Sequence, residues 1–130
     1  MATVDRHRAW SPEDEAAVRS TILDDFEGWF EGDAARMERA LHPDLAKRSL
    51  GEDGYRLDAD TAELMVEKTA RGVGVERRRK VGDPKVDIRV DDVYGSIASV
   101  TVNSAPYHQY LHLVRTQAGW KIANALWQWT

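Results

Sequence analysis

Hydrophobic and polar positions divide the chain into two halves with different periods. In the first half, apolar residues recur at Val18, Ile22, Phe26 and Trp29 or Phe30, the spacing of one helical face. Ser11 is a suitable cap, Pro12 suits the first helical position, and Glu13, Asp14 and Glu15 favour the positive end of the dipole, so the helix begins there. Gly28 and Gly32 weaken its last turns, and the helix is predicted to end near Gly32. Asp33 then caps a short second helix from Ala34 to Leu41, with Met37 and Leu41 on its buried side. His42-Pro43-Asp44 breaks that helix and leads into a strand. A third helix is predicted from Asp60 to Arg71, with Ala62, Leu64, Met65 and Thr69 facing inward. Residues 72–83 show no comparable period and read as a mobile loop. Their Arg77-Arg78-Arg79-Lys80 cluster reads as a solvated basic segment in preference to a phosphate site.

From Lys85 onward the period is two. Val86, Ile88 and Val90 alternate with Asp87, Arg89 and Asp91, giving a strand with one wet face. Tyr94-Gly95-Ser96 is a turn, and Ile97 to Val102 is the next strand. Tyr107 to Thr116 and Trp120 to Trp129 are two more, joined at Gln117-Ala118-Gly119. Helices followed by an antiparallel meander make an α+β pattern. The expected organisation is a tail over residues 1–10 and a single domain over 11–130, with no internal repeat.

Composition narrows the function classes. The chain of 130 residues has five Trp and 42% hydrophobic residues, enough for one packed core. A net charge of −4 with both signs interspersed gives no reason to expect nucleic acid or an anionic membrane surface as partner. There is no cysteine, which removes disulfides, thiolate metal sites and a cysteine nucleophile and suits a reducing compartment. The first ten residues lack the apolar core of a signal peptide, and no apolar run reaches membrane-spanning length, so a cytoplasmic protein is expected.

The segments EGWFEGD (Glu27–Asp33), MERALHPDLAKR (Met37–Arg48), ELMVE (Glu63–Glu67), YLHLVR (Tyr110–Arg115) and GWKIANALW (Gly119–Trp127) together resemble the NTF2-like superfamily. Within it they are most similar to the SnoaL-like, or putative lumazine-binding, group. The resemblance implies three N-terminal helices packed on a curved antiparallel sheet, the cystatin-like cone, with a cavity between them. It also implies a homodimer through the sheet faces. Ketosteroid isomerases share this cone. The position of their catalytic tyrosine, eight residues before the Gly-Asp aspartate, falls here on Asp25; that of their general base falls on Ser49, and that of their second oxyanion donor near Tyr110. All three are polar and none is the isomerase residue, which argues against steroid-type isomerisation by that mechanism. Gln109 stands just before the tyrosine of YLHL, where many relatives of the subgroup carry an acid.

Strand parity supplies the remaining candidates. His108, Tyr110, His112 and Val114 share one face, opposite Tyr107, Gln109, Leu111 and Leu113. In the last strand, Ala123, Ala125 and Trp127 lie opposite Trp120, Ile122, Asn124 and Leu126. Two alanines leave space, so a cavity is expected where they meet Tyr110 and His112. The face of Leu111, Leu113, Trp120, Ile122 and Leu126 then remains for a homodimer. Asp25, about a turn from Ile22 and Trp29, and His112 are the candidate proton-transfer residues. Trp29, Ser49, Tyr55, Tyr110 and Trp127 are the candidate ligand contacts. His108 and His112 on one strand are ~13 Å apart, too far to clasp one metal, so neither a metal nor a cofactor is called for. His42 reads as a helix-capping corner. The expected partner is a small, planar or hydroxylated organic molecule, bound by a module or acted on by a cofactor-independent isomerase or lyase.

Overall fold

A long helix lying across a six-stranded curved sheet sets the frame of the molecule. The computed structural model describes residues 10–130; apart from Trp10, the N-terminal tail lies outside the described residues. In chain order the elements are α1 (Pro12–Glu31), α2 (Ala34–Ala40), β1 (Leu41–Leu50), β2 (Leu57–Asp60), α3 (Ala62–Ala70), α4 (Val73–Val81), β3 (Asp87–Tyr94), β4 (Ile97–Asn103), β5 (Tyr107–Thr116) and β6 (Gly119–Trp129). The strands run in the order β2-β1-β6-β5-β4-β3. β1 pairs parallel to β6, and every other neighbour pair is antiparallel. The expected α+β cone is present.

Local chemistry accounts for the ends of the helices. Ser11 accepts from the Asp14 amide and Pro12 occupies the first helical position of α1, which stops at Gly32 in the left-handed conformation. Asp33 then accepts from the Arg36 amide to start α2. Arg36 ties the two helices together, donating to Asp24 at 3.0 Å and to Glu27 at 2.7 Å, and Arg39 also donates to Asp24. Val18, Ile22, Phe26 and Phe30 share one buried core with Met37 of α2 and with Val100, Val102, Leu111, Leu113 and Ile122 of the sheet. Each fully buried large side chain of this set contributes roughly 1.5–3 kcal/mol.

Three departures from the expected elements have identifiable causes. The stretch read as a mobile loop is α4, a fourth helix. Glu76, Arg78, Arg79 and Lys80 are good helix formers, and the helix docks through Gly74 instead of an apolar stripe. A Cβ at Gly74 would lie 2.1 Å from the Trp29 carbonyl oxygen, so only glycine permits this approach of α4 to α1. The start of α3 lies at Ala62, because Thr61 caps it and the preceding residues form the short edge strand β2. Finally, a bulge interrupts β6. His112 pairs with Asn124 and Leu113 with Ile122, leaving Ala123 as an extra residue. Trp120 and Ile122 therefore face inward together with Ala125 and Trp127, although unbroken alternation would put them on opposite faces.

This bulge reverses the choice of inner face expected from sequence. Tyr107, Gln109, Leu111 and Leu113 are the buried residues of β5, whereas Tyr110 and His112 lie on the outer, exposed face. Leu111, Leu113, Trp120 and Ile122, assigned to a dimer face, are core residues covered by α1.

Candidate functional site

Inside the cone, a cavity of about 170 Å³ opens between α1, β1, α3, α4 and the inner face of β5 and β6. α1 contributes Asp25, Phe26 and Trp29; β1 contributes Lys47; α3 contributes Met65 and Lys68. Val73 and Arg77 of α4 close one side, and Tyr107, Gln109, Trp127 and Trp129 form the sheet wall. Asp60, the last residue of β2, completes the lining. The volume is close to that of an engineered cavity of about 150 Å³ that accepts benzene, so the enclosed space suits about one ring. A wider, open groove continues past the Asp60, Lys68, Trp127 and Trp129 side chains to Ser49 and Tyr110.

The aromatic wall is rigidly built. The Trp29 indole N–H donates to the Tyr107 hydroxyl at 2.9 Å, linking α1 to β5. Tyr107 meets Trp127 edge to face at 5.5 Å between centroids, and Trp127 meets Trp129 the same way at 5.1 Å. The Arg77 guanidinium stacks over Trp129 at 4.4 Å.

Polar groups converge within this apolar frame. Asp25 is 5% exposed, and removal from water pushes its carboxyl above the usual carboxylate range, an effect only partly offset by the Lys47 charge. Lys47 is pushed the other way. Burial of its amine lowers its affinity for a proton, with Asp25 and Asp60 opposing that shift. Desolvation thus works against the charged form of both groups, while their mutual attraction works for it. Lys68, by contrast, is held by Asp60 at 2.9 Å. The Gln109 side chain is 3% exposed, and its Oε1 is buried without a hydrogen-bond partner among the described residues. Burial also raises the Tyr107 hydroxyl, opposed by the hydrogen bond from Trp29.

Of the residues singled out from sequence, Asp25, Trp29 and Trp127 line the cavity. Ser49 and Tyr110 line only the open groove, and Tyr55 is 86% exposed, away from both. His112 lies on the outer face, where its ring meets the Asn124 amide at 3.2 Å, so it does not share a cavity with Asp25. The assignment of His112 and Tyr110 to the cavity wall is corrected by the inward turn of Tyr107 and Gln109. Sequence reasoning did not place Lys47, Gln109 or the Asp60–Lys68 pair in the site, and it assigned Arg77 to a solvated basic segment, whereas Arg77 lines the cavity and stacks on Trp129. Lys47 left one signal, since it has the parity of the buried Leu45 on β1. His42 accepts from the Asp44 amide at 3.0 Å and forms a local corner.

Comparison with known proteins places this geometry. The family model described as putative lumazine-binding matches residues 13–128. The chain belongs to that family. Solved structures with the same cone share its NTF2-like fold. An NTF2-like protein of unknown function from Silicibacter pomeroyi DSS-3 is 13% identical with a TM-score of 0.71, over 94% of this chain and 100% of that one. Another from Methylobacillus flagellatus KT is 16% identical with a TM-score of 0.70, over 93% and 95%. A ketosteroid isomerase-like protein from Erwinia carotovora atroseptica SCRI1043 is 13% identical with a TM-score of 0.63, over 92% and 98%. At these identities the likeness establishes the fold. No curated protein matches the chain. No helix among the described residues of this NTF2-like protein is long and apolar enough to cross a membrane.

Proposed function

We propose that this NTF2-like protein binds a small organic molecule, about one ring in size, in the cavity between α1, α4 and the sheet. The convergence of Asp25 and Gln109 with Lys47 on one aromatic-walled space carries the reading. An unmatched buried polar group costs about 1–3 kcal/mol, which a ligand that hydrogen-bonds to it recovers. A ligand N–H or O–H would meet Gln109 Oε1, and its ring would lie against Trp127 and Trp129. A larger heterocycle would extend into the groove beside Asp60 and Lys68. Ligand-observed NMR with one-ring heterocycles and ketones, followed by tryptophan fluorescence, tests this. Binders should be lost in Gln109→Leu and kept in His112→Ala. Binders indifferent to both Gln109→Leu and Asp25→Asn would refute the location.

A second reading, a cofactor-independent isomerase or lyase, is favoured by Asp25 alone. A carboxyl with a raised pKa beside a bound carbonyl can take or return a proton, and Tyr107 can donate to the developing oxyanion. Lys47 stands in the role considered for His112. Exchange of solvent deuterium into a bound ketone, abolished in Asp25→Asn, is the expected signature; no exchange into any bound ketone would eliminate this reading.

A homodimer is proposed through the outer sheet face, where Tyr110, Leu126 and Ile97 are each about half exposed. Sedimentation at micromolar concentration should give a dimer that Leu126→Glu splits, and a monomeric wild-type protein would contradict it.

A further inference from the structure

Two lysines reach the cavity, and their surroundings differ. Lys68 donates to Asp60 at 2.9 Å. Lys47 makes no salt bridge within 4.0 Å among the described residues; its Nζ lies 5.9 Å from the centroid of Trp127, with Asp25 as its neighbour inside the cone. The cavity also contains one cation more than it has acids to match. Lys47, Lys68 and Arg77 stand against Asp25 and Asp60, and the surplus persists whether Asp25 and Lys47 are both charged or both neutral. Arg77 has no carboxylate partner among the described residues, and its Nε is buried without an acceptor. The ligand that fits is a monoanion.

We propose that the ligand is a small oxo acid, and that Lys47 condenses with its carbonyl carbon to form an imine. The carboxylate would face Arg77, and the carbonyl would lie between Lys47 and Asp25. This rests on the small-molecule reading of the cavity and names its ligand class. In the first step the Lys47 Nζ lone pair forms the new C–N bond. The carbonyl π pair moves to oxygen, which takes the Asp25 proton, and the amine nitrogen returns a proton to Asp25. In the second step Asp25 protonates the hydroxyl, the C–O bond breaks, and water leaves as the nitrogen lone pair completes C=N. One carbonyl, one amine and the Asp25 proton thus give one protonated imine and one water, with no oxidant or reductant, and the imine faces the Asp25 carboxylate. Both groups sit in the cavity lining, and burial shifts Lys47 toward the free amine and Asp25 toward the acid, the directions that these steps use.

Full-length protein treated with pyruvate or 4-formylbenzoate and sodium cyanoborohydride at mildly acidic pH, followed by intact-mass and peptide analysis, tests the proposal. An exposed lysine with a pKa of about 10.4 is neutral in roughly one molecule in ten thousand at pH 6.5, whereas each unit of lowering gains about tenfold. A single reduced adduct on the Lys47 peptide is expected, at least about tenfold faster than on Lys80, Lys85 or Lys121. It should disappear in Lys47→Arg and slow in Asp25→Asn. The peptide map of the wild-type protein stands even where a variant folds poorly. Equal labelling of all lysines would overturn the imine. Benzoate, which has the anion and the ring but no reactive carbonyl, separates the two claims. If benzoate perturbs tryptophan fluorescence while no Lys47 adduct forms, the pocket survives and the imine fails. If neither benzoate nor the oxo acids bind while a neutral one-ring heterocycle does, the oxo-acid class fails and the pocket survives; if none of the three binds, both readings fail.

Discussion

Replacing Gly74 by alanine tests the packing that closes the cavity. The added Cβ would lie 2.1 Å from the Trp29 carbonyl oxygen, 2.6 Å from its carbon and 2.7 Å from the ring Cγ. Ordinary non-bonded contacts lie near 3.5 Å, so α4 must retreat by about 1 Å or more. The obstacle is mainly backbone inside α1, which no rotamer change relieves. Overpacking of this kind costs about 1–3 kcal/mol, with the stiff backbone contact favouring the upper end. Alanine returns up to about 1 kcal/mol through its better helix propensity. The clash wins, for a net loss of about 1–2 kcal/mol, or roughly 3–10 °C in Tm for a domain of this size. Gly28→Ala is the internal comparison. Its Cβ would meet Asp33 O and Met37 N at 3.1 Å and Arg36 Cβ at 3.2 Å, a misfit of a few tenths of an ångström. Differential scanning calorimetry should therefore rank wild type and Gly28→Ala close together, with Gly74→Ala clearly below. Because α4 carries Val73 and Arg77 to the cavity, Gly74→Ala should also red-shift tryptophan emission. A Gly74→Ala protein that melts with the wild type would refute the close approach of α4 to α1.

Asp25 is protonated more readily in the folded state than in the unfolded chain, because burial raises it. Its contribution to stability is complete below the unfolded value near 3.8 and is lost as pH rises through the folded value. Asp25→Asn should accordingly gain on the wild type between acidic and neutral pH in urea midpoints; a constant difference across that range would be the wrong outcome. Asp24 works in the opposite sense, since hydrogen bonds from Arg39 and Arg36 hold its carboxyl low. Asp24→Asn should cost about 1 kcal/mol near neutrality, and the difference should shrink as pH falls below the unfolded value. Leu113→Ala should lose about 2–5 kcal/mol, while His112→Ala next to it should stay within about 0.5 kcal/mol. Chemical denaturation of the pair distinguishes inner from outer face, and comparable losses would mean that β5 is misassigned.

The parts of the fold that were legible from sequence rest on local rules. Ser11, Pro12, Gly32 and Asp33 fix the ends of α1 and α2 through cap and dihedral preferences that need no tertiary partner. Asp25 was visible as a carboxylate on the apolar side of that helix. What escaped depends on contacts distant in sequence. α4 exists because a glycine seats it on Trp29, and no periodic apolar stripe announces that. The exchange of Tyr110 and His112 for Tyr107 and Gln109 follows from choosing the wrong face of β5. Unbroken alternation puts Ala125 and Trp127 opposite Trp120 and Ile122, whereas the extra residue at Ala123 brings all four inward. Lys47 was overlooked because a charged residue on a strand is ordinarily assigned to solvent.

That extra residue gives β6 two phases. Toward the turn, Trp120 and Ile122 serve the core, as Ala125 does beyond the bulge; toward the chain end, Trp127 and Trp129 line the cavity. Pairing with β5, not the number of residues between them, fixes which way each half faces, since Ile122 lies opposite Leu113 and Asn124 opposite His112. Deletion of Ala123 would therefore leave a plain ladder in which Ala125 and Trp127 still point inward and Leu126 still points outward. The hydrophobic anchor under α1 and the aromatic wall are thus joined by a slack point, where β6 can absorb a one-residue change in length without exchanging its two faces.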